Sequence, residues 1–299
     1  MIGARTDAWL YRGLAGRRRR AARQWPDGMR WLETAAGPVR VRDTGGDRPP
    51  VVFAPDGPCT VEHYDVLVAL LRDDFRVVVF DLPGFGFSAP GRSYGHGLAE
   101  GGRVVTAVLE ALDLPPATLA LSCVNGFYAM AAARLAPERV ARVVLCQTPD
   151  LAAMKKWAAR TIPSPIETPL IGQLLNYFSR RRLARIWLRM AVADEARQPA
   201  FLATADGTLR QGGCYCLAGV VQGMLNTRDD DALLQVPASV PVTLVWGRSD
   251  RTHRRTDPQS LRAHCPHLEV VTFDDAGHLP DLEAPERYAA LLRDRPAAS

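Results

Sequence analysis

Lysine is almost missing from this 299-residue chain. Of its 37 basic residues only Lys155 and Lys156 are lysines, and the rest are arginines in an Ala/Leu/Val/Pro-rich background. That bias reads as the mark of a GC-rich bacterial genome rather than of a nucleic-acid partner, since no aromatic interleaving or groove motif accompanies the arginines and the formal charge is only +5. The concentrated basic block, Arg17 to Arg20 with Arg23, is read as a solvated face of a short helix. Long apolar runs are lacking too. No stretch of about 18 apolar residues occurs, and none follows the arginines, so neither a membrane span nor a signal peptide is expected, no membrane partner is expected, and the location is read as cytoplasmic. Paired cysteine spacing is absent: the six cysteines are scattered, no C-x-x-C occurs, and Cys214-Tyr215-Cys216 is too tight for a usual metal clip and is read as packing. No metal or cofactor is therefore expected. What is present, 47% hydrophobic and 23% charged residues, suffices for one large α/β domain with an insertion.

Periodicity supplies the order of elements. Met29 to Arg42 alternates apolar and polar residues around Gly37-Pro38, the pattern of a hairpin at the start of a sheet. Val51–Ala54 and Val77–Phe80 are short continuous apolar runs ending in Pro/Gly/Asp loops, as strands buried on both faces read. Helical spacing over 61–72, 101–112 and 126–135 alternates with strands over 118–121 and 140–146, which predicts a parallel, doubly wound sheet. The alternation stops over roughly 151–234, where the patterns are helical without a strand. It resumes at Val242–Trp246 and Leu268–Phe273, with a closing helix over 285–293. The division expected is a basic helical extension at 1–28, a core at 29–150 and 235–299, and a helical lid at 151–234 over the carboxyl ends of the strands.

Three stretches carry the chemistry. Asp81-Leu-Pro-Gly-Phe-Gly-Phe-Ser88 follows a strand directly, its glycines allowing a tight path that Asp81 can cap. Leu121-Ser122-Cys123-Val124-Asn125-Gly126 runs from a strand straight into a helix. Such a turn projects Cys123 above the sheet edge and aims a helix N-terminus at it, which lowers a thiol pKa and offers N–H groups to an oxyanion. Two late loops, Val245-Trp-Gly-Arg-Ser-Asp250 and Asp275-Ala-Gly-His278-Leu-Pro-Asp-Leu-Glu-Ala-Pro-Glu286, place an acid and a histidine just past strands. Asp150, also beyond a strand end, is a rival to Asp250, while His253 and Asp281 are read as surface or supporting residues.

In these motifs the sequence resembles the α/β-hydrolase superfamily, from Met29 to the C-terminus, with D-x-P-G-x-G-x-S, the elbow register, W-G-x-x-D and G-H-x-x-x-x-E-x-P-E all in order. By position, the resemblance implies Cys123 as nucleophile, His278 as general base and acid, and Asp250 as the residue fixing the histidine tautomer. It also implies an oxyanion hole from the backbone N–H of Val124 and from Gly57 or its neighbour. Cysteine at the elbow is similar to dienelactone hydrolases and to thioesterases that release or cyclise peptide and polyketide chains.

Departures from that pattern shape the expectation of function. Where most relatives carry His-Gly, this chain has Pro55-Asp56-Gly57-Pro58, so an N–H is lost at each proline and Asp56 brings a carboxylate toward the oxyanion position, where it could act as an acid or base or bind a substrate hydroxyl. Leu121 and Asn125 replace the small elbow residues. The leading expectation is an enzyme acting through a Cys123 thioester on an ester, thioester or lactone of an apolar specialised metabolite, free or tethered to a carrier protein. A second is a lyase, similar to tetronate acetate eliminases, in which His278 removes a proton and a carboxylate leaves. A third is a ligand-binding protein of the hormone-receptor kind, which the complete set of nucleophile, acid and base argues against. A disulfide between Cys59 and Cys123 is a remote expectation, and the lid aromatics are read as lid packing with some facing an apolar pocket.

Overall fold

The computed structural model describes residues 2–294, so residue 1 of the expected extension and residues 295–299 of the expected core lie outside the described residues. Eight strands form the main sheet: β1 (Met29–Leu32), β2 (Val39–Asp43), β3 (Pro50–Ala54), β4 (Arg76–Phe80), β6 (Ala117–Ser122), β7 (Val140–Cys146), β9 (Val242–Gly247) and β10 (Glu269–Phe273). Their order is β1-β2-β4-β3-β6-β7-β9-β10. The first two pairings are antiparallel and every later one is parallel, giving the mostly parallel α/β sheet that the alternation of strands and helices predicts. The period-2 geometry of a strand explains the apolar runs: Val52 and Ala54 of β3 join one core cluster, Val51 and Phe53 the other.

Helices cover both faces. On one side lie α4 (Leu98–Ala111) and α5 (Val124–Leu135); on the other lie α3 (Asp65–Leu71) and α11 (Pro285–Asp294), preceded by the single turn α10 (Pro280–Glu283). The region expected to form the lid, referred to below by that name, contains α6 (Leu151–Thr161), α7 (Ile171–Ala191), α8 (Gln198–Arg210) and α9 (Leu217–Leu225). Its sequence shows no strand signal, yet Cys214–Tyr215 forms a short strand, β8, against β5 (Phe85–Gly86). A two-residue pairing is too short for any periodicity to announce it.

The N-terminal segment forms α1 (Ile2–Arg12) and α2 (Ala15–Ala22). The expectation of a purely solvated arginine face fails at Arg18, which is buried and donates to the carbonyls of Tyr11 and Gly212 at 3.1 Å each. Tyr11 is tied to β8 as well, its hydroxyl donating to the Tyr215 carbonyl and accepting from the Tyr215 N–H, both at 3.1 Å. The extension is thereby clamped to the lid by buried polar contacts that a run of arginines does not disclose. Among the described residues no helix is long and apolar enough to cross a membrane.

Beneath β2 the guanidinium of Arg40, wholly buried, pairs with Asp81 at 2.6 Å and with Glu62, and lies 4.6 Å over the Phe87 ring. Asp81 also accepts from the Phe87 N–H at 2.9 Å, so the Asp81-Leu-Pro-Gly loop is pinned by charge as well as shaped by glycine.

Candidate active site

Residue 123 sits where β6 turns into α5, with φ 55° and ψ −131°. A non-glycine residue at positive φ stores strain of about 1–3 kcal/mol, and here the surroundings hold it: the Cys123 N–H donates to the Cys146 carbonyl at 2.7 Å, and the Thr148 hydroxyl donates to the Cys123 carbonyl at 2.9 Å. The turn stands the thiol at the end of α5 where the Val124 N–H favours the thiolate. Gly126 makes this closure possible in place of the missing elbow glycine at 125, because a Cβ on residue 126 would lie 2.2 Å from the Thr148 hydroxyl.

His278 follows β10 in a loop whose position is set by Glu283. That carboxylate accepts from the N–H groups of Gly277 at 3.0 Å and Leu279 at 3.2 Å, and on its other oxygen from Ala193 at 2.7 Å. The glutamate of the G-H-x-x-x-x-E pattern therefore joins the histidine loop to the end of the lid's longest helix.

The ring of His278 is fully buried, with Nδ1 2.8 Å from Asp250 Oδ2. An ionised carboxylate only accepts, so Nδ1 carries the proton, and Nε2 lies toward Asp56 and Cys123. Asp250 is in turn held by donors: Gln147 Nε2 at 2.6 Å, and the Thr252 N–H and hydroxyl at 2.7 and 2.8 Å. Burial works against its charge, but the neighbouring His278 and these donors keep its pKa well below the usual carboxylate range. Asp150 takes a different task, capping α6 by accepting from the Ala153 N–H at 2.5 Å.

On the Nε2 side stand two groups. Asp56 Oδ2 is 3.5 Å away, and one ligand atom each of Asp56, Cys123 and His278 lies within 4.8 Å of the others. Burial raises the Cys123 thiol pKa and Asp56 adds to the rise, while His278 opposes it. Burial raises Asp56 as well. For His278, burial lowers the pKa, but the charges of Asp250 and Cys123 outweigh it and hold the ring toward the cation.

A cavity of about 260 Å³ opens over Asp56 and Cys123, lined by these with Gly57, Val124 and Asn125 at its floor and by lid side chains such as Ile166, Ile186, Met190 and Val220 above. Pro55 does not line it; its carbonyl accepts from the Asn125 amide at 3.0 Å, so residues 55 and 125 bind each other and lock the loop after β3 to the elbow. Gly57 packs against Phe85 and Tyr215, where any side chain would collide with the Phe85 ring.

Several supporting residues were not legible in the motifs. Gln147, at φ 47°, accepts from the Gly247 N–H at 2.8 Å while donating to Asp250, and only the adjacency of β7 and β9 brings it there. His253, expected at the surface or in support, is buried and stacks on His278 with centroids 5.3 Å apart, and on Trp157 at 4.9 Å. Burial lowers its pKa to about 3, so it is a neutral plate. Asp281 is buried too, accepting from the Tyr64 hydroxyl at 2.7 Å. Trp187 meets the His278 ring edge-on at 5.1 Å, so lid aromatics serve the site as well as the lid. Cys59 is buried in the core cluster on the α3 side of the sheet and forms no disulfide; all six cysteines are free.

Comparison with known proteins agrees with this architecture. The family described as alpha/beta hydrolase fold matches residues 49–285, and the chain belongs to it. Haloalkane dehalogenase 2 of Mycobacterium tuberculosis is 27% identical over 284 residues, which span 91% of this chain and 96% of that protein. Pimeloyl-[acyl-carrier protein] methyl ester esterase of Vibrio parahaemolyticus is 28% identical over 230 residues, 76% of this chain and 86% of that one. Among solved structures, epoxide hydrolase A of Mycobacterium thermoresistibile superposes with a TM-score of 0.74 at 17% identity, covering 89% of this chain and 97% of the other. The chain is thus an α/β-hydrolase-fold enzyme, similar to dehalogenases, esterases and epoxide hydrolases.

Proposed function

We propose that the enzyme cleaves or transfers the acyl group of an apolar ester, thioester or lactone through a Cys123 thioester. The observation that carries this reading is Cys123 on the floor of an apolar cavity, with His278, backed by Asp250, close beside it. The sulfur attacks the carbonyl carbon with its proton held on His278 Nε2, the cationic ring being favoured by the charges of Asp250 and Cys123. In this reading the backbone N–H groups of Val124 and Gly57, both of which line the floor, supply the donors to the developing oxyanion. Nε2 returns the proton to the departing oxygen or sulfur, and water, an amine or a hydroxyl then resolves the thioester. The similarity to an esterase acting on a carrier-bound methyl ester supports an acyl substrate. Mass spectrometry after mixing with an activated ester of a medium-chain acid is expected to find an acyl adduct on Cys123 and none in Cys123→Ala; an unmodified wild-type cysteine at long times removes the covalent step.

Asp56 favours a second reading. A carboxylate 3.5 Å from Nε2 opposes an oxyanion there and suits proton transfer, as in an elimination where His278 removes a proton and a carboxylate leaves. If Cys123→Ala retains turnover while His278→Ala loses it, this reading replaces the first.

A further inference from the structure

Away from the candidate active site, three chemistry-bearing side chains converge where the extension, the core and the lid meet. They are Asp7 on α1, His96 in the loop between β5 and α4, and Cys216 at the start of α9. One ligand atom of each lies within 4.8 Å of the other two, and all three residues are buried. Neither ring nitrogen of His96 and neither carboxylate oxygen of Asp7 has a partner at hydrogen-bond distance and angle among the described residues; burial raises the Asp7 pKa to about 7, against which the nearby Gln173 amide and Cys216 thiol act only weakly. Buried polar atoms are rarely left unpaired in folded proteins, so four of them in one place call for a partner. The backbone keeps the space between them clear: a Cβ at Gly219 would lie 2.9 Å from His96 Nε2 and 3.1 Å from Asp7 Oδ2, and one at Gly84 would lie 3.2 Å from Cys216 Sγ.

We infer that Asp7, His96 and Cys216 bind a transition-metal cation of the zinc(II) class, with a solvent molecule in the fourth position. One oxygen, one imidazole nitrogen and one sulfur suit a borderline metal and not magnesium or calcium, which take oxygen donors. Three atoms no more than 4.8 Å apart surround a point within about 2.8 Å of each, and contraction to about 2.0–2.3 Å asks only for small side-chain movements. Binding releases the thiol proton of Cys216, and the carboxyl proton from the fraction of Asp7 that carries one, to solvent and changes no oxidation state. The ion ties α1 to the core loop and to the lid, next to Tyr215 and Leu217, which line the substrate cavity. The three ligands come from distant parts of the chain, which is why cysteine spacing alone leaves no metal expectation.

The test uses the full chain, stripped with a chelator and titrated with cobalt(II) and zinc(II). Wild type is expected to retain one equivalent by elemental analysis, to show a thiolate-to-cobalt charge-transfer band, and to melt at a higher temperature with zinc. Cys216→Ser and His96→Gln are expected to lose the band and the thermal shift. Cys123→Ala is expected to keep both, which separates this site from the cluster of Asp56, Cys123 and His278. Absence of bound metal in wild type overturns the inference. So does a cobalt band that survives in Cys216→Ser or vanishes in Cys123→Ala. Should Cys216→Ser fail to fold, the wild-type stoichiometry and the persistence of the band in Cys123→Ala still decide.

Discussion

The thiol of Cys123 is poised between two opposing fields, and Asp56 is the residue through which that balance can be moved. Burial and the Asp56 carboxyl raise its pKa, whereas His278 and the Val124 N–H lower it. Replacing Asp56 by asparagine removes the charge and keeps the shape. Asp56→Asn is therefore expected to shift the pH profile of Cys123 alkylation by iodoacetamide to lower pH and to raise the rate at neutral pH; an unmoved profile would show that the carboxyl is already uncharged. In the proposed acyl chemistry the same change relieves repulsion of the oxyanion, while in the elimination reading it removes a proton-transfer group, so the sign of the effect on turnover separates the two.

At the scale of elements, the strand-to-helix corner depends on how closely α5 approaches the end of β7. Thr148 donates to both the Cys123 and the Cys146 carbonyls, at 2.9 and 3.1 Å, and a methyl group on residue 126 would displace it. Gly126→Ala is expected to destabilise the fold by about 1–3 kcal/mol, measured by urea unfolding, and to slow adduct formation at Cys123 beyond what the lost stability explains. The lid helices make a different prediction. Their side chains present an apolar roof to the cavity, and each methylene buried from water contributes about 0.8 kcal/mol. Extending the acyl chain of a test ester by one methylene is then expected to raise kcat/KM about threefold to fourfold until the cavity of about 260 Å³ is full; a flat series would place the acyl chain outside it.

For the molecule as a whole, buried acids govern the dependence of stability on pH. Burial raises Asp281 to about 6, against about 3.9 for an aspartate in an unfolded chain. Between those values the folded protein binds more protons than the unfolded one, so this group's contribution is fully present below about pH 4 and is lost as pH rises through about 6. Asp281→Asn keeps an acceptor for the Tyr64 hydroxyl and cannot ionise. It is expected to be more stable than wild type at pH 8, by up to about 3 kcal/mol, with the advantage gone at pH 4. Equal unfolding free-energy differences at the two pH values would show that Asp281 is not the titrating group.

The division between sequence and tertiary structure follows from the range of the forces involved. Hydrophobic periodicity and glycine-rich turns act over a few neighbouring residues, so the strands from β3 to β10 of the main sheet, the elbow register of Cys123 and the loops bearing Asp250 and His278 are all legible in one dimension. The choice of Asp250 over Asp150 is half legible: both follow strands, and only the structure places one against His278 Nδ1 and the other as the cap that precedes α6. What no local pattern carries is contact between segments far apart in the chain. The burial of Arg18 under the lid, the two-residue pairing of β5 with β8, the bridging of Asp250 by Gln147, the stacking of His253 on His278, and the meeting of Asp7, His96 and Cys216 each require the chain to be closed on itself first. Local chemistry named the candidate groups, and packing decided which neighbours surround them.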